Sequence, residues 1–239
     1  MIEKIESAQQ LADWTKRDLF SVRILALLAS YGCQYRFCSF YRQTEGEQIT
    51  AIIGKLDGNI TLALSDAYDR EELVRFLCLT GYTSVLCADT FELNPRYSQG
   101  VVMSCKRKPA LVPTDAAIDE YPKLMDLFNF IDYAEQDFKA WYVDISHRVR
   151  HNTAKAYALL IDGEIISTGI LSSLYDGDAV LSAVRTGDAY RRKGYGSALV
   201  RAICNDVSGT VWLMRDEDKN EAFYRQIGFE NTGRWRMYQ

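Results

Sequence analysis

Three Asp-Gly pairs, Asp57-Gly58, Asp162-Gly163 and Asp176-Gly177, separate runs of strand-like residues. A tight type I′ turn needs two positive φ values, which Asp-Gly accepts, so each pair marks an antiparallel hairpin. With Glu45-Gly46 as a fourth turn, the chain is committed to two short meanders. The first is read as strands 36–42, 48–56 and 60–64, and the second as 154–161, 164–173 and 179–186. The turn glycines fall 12 apart at Gly46 and Gly58, and 14 apart at Gly163 and Gly177.

The same order of elements surrounds both meanders. Residues 7–31, with Ser7 as N-cap and Gly32 as stop, read as helix before the first. After it come a helix over 70–80, capped by Asp69 and ended by Gly81, and strands 84–88 and 101–107. Residues 121–130 and 138–149 read as helices before the second meander. After it come a helix over 195–206, a strand over 210–214, a helix over 217–226 closed by Gly228, and a strand over 229–238. Pro109, Pro113 and Thr114-Asp115 mark a linker between the halves. The shared order reads as an internal duplication of weak identity. The expected class is α/β, in two halves, 1–108 and 109–239, each a mixed, mainly antiparallel sheet with flanking helices.

Composition removes other classes. The 239 residues are 48% hydrophobic and 25% charged, with net charge −4, as in a globular protein with a core. Such mild acidity argues against a nucleic-acid binder. No apolar run reaches the roughly 18 residues of a membrane helix. The opening MIEKIESAQQ has no apolar core of a secretory signal, so the expected location is cytoplasmic. The six cysteines form no C-x-x-C pair, and Cys38, Cys78 and Cys87 lie in apolar runs where a thiol acts as a small buried hydrophobe. With only His147 and His151 as histidines, no metal site is expected.

The chemistry concentrates in LSAVRTGDAYRRKGYGSALV, Leu181 to Val200. A strand enters a loop holding Arg191, Arg192, Lys193, Gly194 and Gly196, and a helix starts at once. Glycines admit a ligand close to the backbone, and the helix start offers unpaired N–H groups and the positive dipole end. Three cations complete a site for pyrophosphate. The dinucleotide fingerprint fails at Leu199, and no G-K-[ST] follows.

The run R-x-x-G-x-G, Arg191 to Gly196, is followed 24 residues later by Asn220-Glu-Ala-Phe-Tyr-Arg-Gln-Ile-Gly-Phe229. Together these motifs resemble the GCN5-related N-acetyltransferases over about residues 115–239; residues 1–108 match only in element order. The resemblance implies a tandem acyl-CoA N-acyltransferase fold whose second half binds acetyl-CoA. By the same resemblance Val184 and Thr186 pair with pantetheine amides, and Arg191, Arg192, Lys193, Gly194, Tyr195, Gly196 and Ser197 hold phosphates. Asn220 then bonds the coenzyme arm, and Phe223 and Tyr224 line the site near the sulfur.

The implied reaction is direct attack by a primary amine within a ternary complex. The oxyanion would be held by the backbone N–H near Val184, and Tyr224 would act as general acid. Residues 179–186 hold no carboxylate, so Ser182 is the candidate for positioning a water that takes the proton. Asp178, His147 and Glu217 stand as further candidates for the base. Tyr142, His147 and Arg148 are candidates for the acceptor pocket. The partners are therefore acetyl-CoA and an amine, small molecule or peptide, with no nucleic acid and no membrane; a homodimer stays open. The rival reading is a non-catalytic coenzyme A sensor or protein-interaction module on the same fold. The first half carries Ser65-Asp66-Ala67-Tyr68-Asp69 where the phosphate loop would stand, and its acids would repel pyrophosphate.

Overall fold

A computed structural model describes residues 1–131 and 138–239. The chain divides into two compact units. Unit 1 takes Met1–Val102, Met214–Lys219 and Asn231–Gln239, and unit 2 takes Met103–Leu213 and Asn220–Glu230.

Unit 1 starts with β1 (Ile2–Lys4) and a 3-10 turn at Ala8–Leu11, followed by α1 (Leu19–Tyr31). The single helix expected over 7–31 is therefore two pieces. Asp18 accepts the Ser21 N–H at 2.7 Å and starts a new helix, while the Trp14 indole N–H donates to Ser21 Oγ at 3.0 Å. The hairpins then follow as β2 (Cys38–Glu45), β3 (Gln48–Leu56) and β4 (Asn59–Leu64), succeeded by α2 (Arg70–Thr80), β5 (Ser84–Ala88) and β6 (Tyr97–Cys105). Asp69 caps α2 as expected, accepting the Glu72 N–H at 3.0 Å. Cys78, expected inside, is exposed on α2, because the buried side of that helix is Leu73 and Leu77.

The parallel pair β4–β5 runs for three rungs, Asn59↔Ser84 to Thr61↔Leu86. Beyond it, Leu64 and Cys87 share one core cluster with Phe91 and Tyr238, and Tyr68 packs against it. The last strand of the chain, β12 (Glu230–Tyr238), lies antiparallel to β5 from Trp235↔Ala88 to Tyr238↔Val85.

Unit 2 contains β7 (Ala117–Asp119), α3 (Leu124–Ile131), α4 (Phe138–Arg150), β8 (Lys155–Ile161), β9 (Glu164–Tyr175), β10 (Asp178–Thr186), α5 (Tyr195–Asp206), β11 (Val211–Asp216) and α6 (Glu221–Ile227). Strand β7 falls just after the expected linker. The sheet order is β11-β10-β9-β8-β7, antiparallel except where α5 crosses over to lay β11 parallel to β10.

One face of α5 buries Ala198, Leu199, Ile203 and Cys204. Gly169 on β9 lets it approach: a Cβ there would lie 2.7 Å from Ile203 Cδ1. A separate core cluster joins Leu127, Ile131, Ile145, Ala156 and Ile170, with Trp141 and Ala183 packed against it.

Candidate functional site

The site begins with a fault in β10. The strand pairs with β11 only from Ala179↔Val211 to Leu181↔Leu213, and its register against β9 shifts between Ser182 and Arg185. Ala183 sits there at φ 52°, a left-handed conformation that costs a non-glycine residue about 1 kcal/mol. Thr168 Oγ1 donates to the Ala183 carbonyl at 3.1 Å and holds the bulge. Val184 and Thr186 follow on a length of strand with no β11 rung among the described residues.

Next to that edge, α5 opens without a side-chain cap. Its N-cap is Gly194, at φ 91°, so the first-turn amides keep their donors. Gly196 answers a different need: a Cβ there would stand 2.7 Å from Thr186 Oγ1 and 3.6 Å from the Phe223 ring. Asn220 starts α6 at φ 61°, a region asparagine tolerates, and its side chain does not cap the helix.

These groups border one cavity of about 760 Å³, within the range of small-molecule sites. Its lining joins Val184 and Thr186 of β10, Arg191, Arg192, Gly194, Tyr195, Gly196 and Ser197 of the loop and α5, and Asn220, Phe223 and Tyr224 of α6. Sequence reading did not single out Arg185, Tyr190 or Gln226, which complete it. The first two lie within the motif segment, where strand alternation and loop composition do not tell which side chains face inward.

The charge is one-sided. Arg185, Arg191 and Arg192 line the cavity, and no carboxylate does among the described residues. Arg191 is steadied by Asp188 at 2.9 Å and by the Thr186 carbonyl at 3.2 Å. Arg185 Nη1 donates to the Ile131 carbonyl at 2.6 Å. Lys193 does not line the cavity; its Nζ lies 5.5 Å from the Tyr190 ring centre.

Tyr224 is 9% exposed, its ring edge-on to Phe223 at 5.0 Å and Phe229 at 5.6 Å. Burial pushes its phenol up to about 12, so it keeps its proton at neutral pH.

Other candidates lie elsewhere. Ser182 Oγ donates to the Ile170 carbonyl at 3.3 Å, and the residue is not in the lining. Asp178 Oδ1 accepts the Thr210 N–H at 2.7 Å and secures a turn. Glu217 is doubly bonded to Arg234, at 2.9 and 2.8 Å, which holds its carboxyl below its ordinary range. On α4, Arg148 pairs with Asp144 at 2.9 Å and reaches the Ser172 carbonyl, and His147 stacks on His151 at 4.1 Å. Tyr142, 43% exposed, packs on Phe138. None of Tyr142, His147 and Arg148 borders the cavity.

Comparison with known proteins agrees with this geometry. The model of the acetyltransferase (GNAT) family matches residues 117–229. A search of curated proteins returned no significant match. Among solved structures, a Drosophila protein superposes with a TM-score of 0.67 at 12% identity, over 99% of this chain and 97% of its own. A tandem GNAT protein from the clavulanic acid biosynthesis pathway gives 0.60 at 11% identity, over 99% and 97%. A GCN5-related N-acetyltransferase from Kribbella flavida gives 0.58 at 15%, over 92% and 93%. At such identities the likeness is one of fold, which here is the mixed, mainly antiparallel GNAT architecture. Residues 117–229, with their strand bulge, glycine loop and uncapped helix, thus match the acetyltransferase (GNAT) family.

Proposed function

We propose that the second half of the chain, residues 109–239, binds acetyl-CoA and transfers its acetyl group to a primary amine by direct attack. The observation that carries this reading is the parting of β10 from β11 after Leu181, beside the uncapped start of α5. An extended amide chain can add to such an edge as a strand does, and a diphosphate suits the helix start beyond it. Val184 and Thr186 serve the pantetheine arm; Arg191, Arg192 and the amides from Gly194 to Ser197 serve the phosphates, with Lys193 at the rim. Asn220 bonds the arm from α6.

The amine attacks once it has lost its proton, and the Val184 N–H holds the oxyanion. Tyr224 donates to the departing sulfur. In the first half, Asp69 already occupies a helix-start donor and Phe91, Tyr68 and Tyr238 fill the space beyond the β4–β5 rungs. That half therefore takes no coenzyme in our reading, and the likeness to a tandem GNAT protein supports a duplicated fold.

A thiol-release assay with acetyl-CoA and an amine panel tests the reading, with calorimetry for binding. The sensor reading draws on the lining, which holds no carboxylate to serve as base among the described residues. Coenzyme A binding without turnover on any amine would favour it; absence of binding would overturn both.

A further inference from the structure

Arg201, in the second turn of α5, reaches three separate segments of unit 2. Its Nε donates to Ser197 Oγ at 3.2 Å, its Nη2 to the Gln226 carbonyl at 2.6 Å, and its Nη1 to the Ala110 carbonyl at 3.1 Å. Ser197 and Gln226 both line the cavity, one from each of the helices that frame it. Gln226 lies in the last turn of α6, where carbonyls lack intrahelical partners and the dipole is negative, so a guanidinium suits that end. Next to it, Asn205 Nδ2 donates to the Pro109 and Arg201 carbonyls at 2.7 and 2.8 Å, and Lys108 Nζ to the Asn205 carbonyl at 2.8 Å. The segment around residues 108–110 is thereby clamped along α5.

A serine hydroxyl has one hydrogen and an oxygen that accepts. Since Arg201 supplies a hydrogen to the Ser197 oxygen, the hydroxyl's own hydrogen is the one left to give, at the edge of a cavity beside Gly194 and Gly196. We infer that Arg201 is a positioning residue for the diphosphate of coenzyme A: it acts through Ser197, which it turns into a directed donor, while its bonds to the Gln226 and Ala110 carbonyls hold its own fork in place. The inference rests on the proposed reading of the cavity as a coenzyme A site. Arg201 itself does not touch the phosphates, because its fork is directed to protein oxygens.

A double-mutant cycle on the full chain tests this, with coenzyme A as the titrant. Ser197→Ala and Arg201→Gln should each weaken binding about tenfold, the loss expected of one hydrogen bond to a charged group. If Arg201 acts through Ser197, the double variant is no worse than the weaker single by more than about twofold. Losses that multiply in the double variant, or an Arg201→Gln protein that binds as wild type does, overturn the inference. Should Arg201→Gln fail to fold, Arg201→Lys keeps the charge but cannot span three acceptors. It should still lose affinity, and wild-type affinity in it would refute the orienting role. With any amine that is turned over, KM for acetyl-CoA should rise while kcat holds; a fall in kcat alone speaks against it. Wild-type protein that binds no coenzyme A removes the underlying reading and this inference together, whereas wild-type binding with multiplicative variants removes only the inference.

Discussion

The substitution Tyr224→Phe separates a proton donor from a hydrogen-bond donor. The ring is packed between Phe223 and Phe229, and the substitution keeps that packing. Burial pushes the phenol up to about 12, so at pH 7 only about one molecule in 10⁵ is ionised. A thiol titrates near 8.5, so complete transfer from this phenol to a free thiolate is uphill by about 3.5 pK units, or about 5 kcal/mol. In the proposed reaction Tyr224 would therefore act mainly by donating a hydrogen bond to the sulfur as charge develops on it. A hydrogen bond to a charged group is worth about 1.5–3 kcal/mol, which predicts a kcat loss of about 10- to 150-fold in Tyr224→Phe.

Steady-state thiol release with the best amine from a panel measures this, with little change expected in KM for acetyl-CoA. A kcat within twofold of wild type refutes the role, and a loss beyond about 10⁴-fold refutes the energetic argument, since it would require full proton transfer. The same shift carries a sign for stability. A folded-state value raised above the unfolded one gives stability that is complete below the unfolded value, near 10, and is lost as pH rises through about 12. Wild type should thus lose up to about 3 kcal/mol relative to Tyr224→Phe over that window. Urea unfolding of both proteins at pH 8 and pH 11 shows it, and equal alkaline losses count against the buried phenol.

Three further outcomes are expected. Gly196→Ala places a methyl 2.7 Å from Thr186 Oγ1, itself 2.9 Å from Ser167 Oγ, and such overpacking costs about 1–3 kcal/mol. Melting should register that loss and calorimetry a weaker coenzyme A affinity; an unchanged affinity would show that the α5 start is not a binding surface. Coenzyme A should bind with a stoichiometry of one per chain, and a second site of similar affinity would contradict the reading that the first half takes no coenzyme. Asp206 accepts from Lys155 at 2.7 Å and from Tyr157 at 2.5 Å, and these bonds, the Lys155 one first, hold its carboxyl low. Its stabilising contribution is present above the ordinary carboxylate range and lost as pH falls through the lowered value, so acid unfolding of Asp206→Asn should be less steep than that of wild type.

Much of the fold could be read from local chemistry. All three Asp-Gly pairs sit at hairpins, with Asp57, Asp162 and Asp176 at positive φ; Gly163 and Gly177 are too, as a type I′ turn needs, but Gly58 is not, so the Asp57-Gly58 turn departs from the expected type. The bounds of α2, β5 and α5 match the expected ones, because Asp69, Gly81 and Gly194 act through their own backbones or side chains. What failed depends on distant partners. The start of α1 turns on Asp18, hidden in a polar stretch, and β1 and β7 are three-residue strands defined only by pairing with β2 and β8. The motif residues from Arg191 to Tyr224 mostly came together, whereas Ser182, chosen because its strand lacks a carboxylate, is bonded to β9. Alternation places a side chain on a face of a regular strand, and the bulge at Ala183 resets that count one residue before the site.

The bulge also explains why the two halves, alike in element order, part company in chemistry. Both keep three parallel rungs, Asn59–Thr61 with Ser84–Leu86 and Ala179–Leu181 with Val211–Leu213. After the third rung β4 ends at Leu64, whose carbonyl accepts the Lys16 ammonium at 2.5 Å, and a short loop leads to a helix capped by Asp69. After its third rung β10 bulges, runs on to Thr186, and meets a helix capped only by glycine. Charge is thus one of two barriers in the first half. Removing Asp66 and Asp69 would relieve the repulsion and free a helix amide, yet the aromatic filling of Phe91, Tyr68 and Tyr238 would remain.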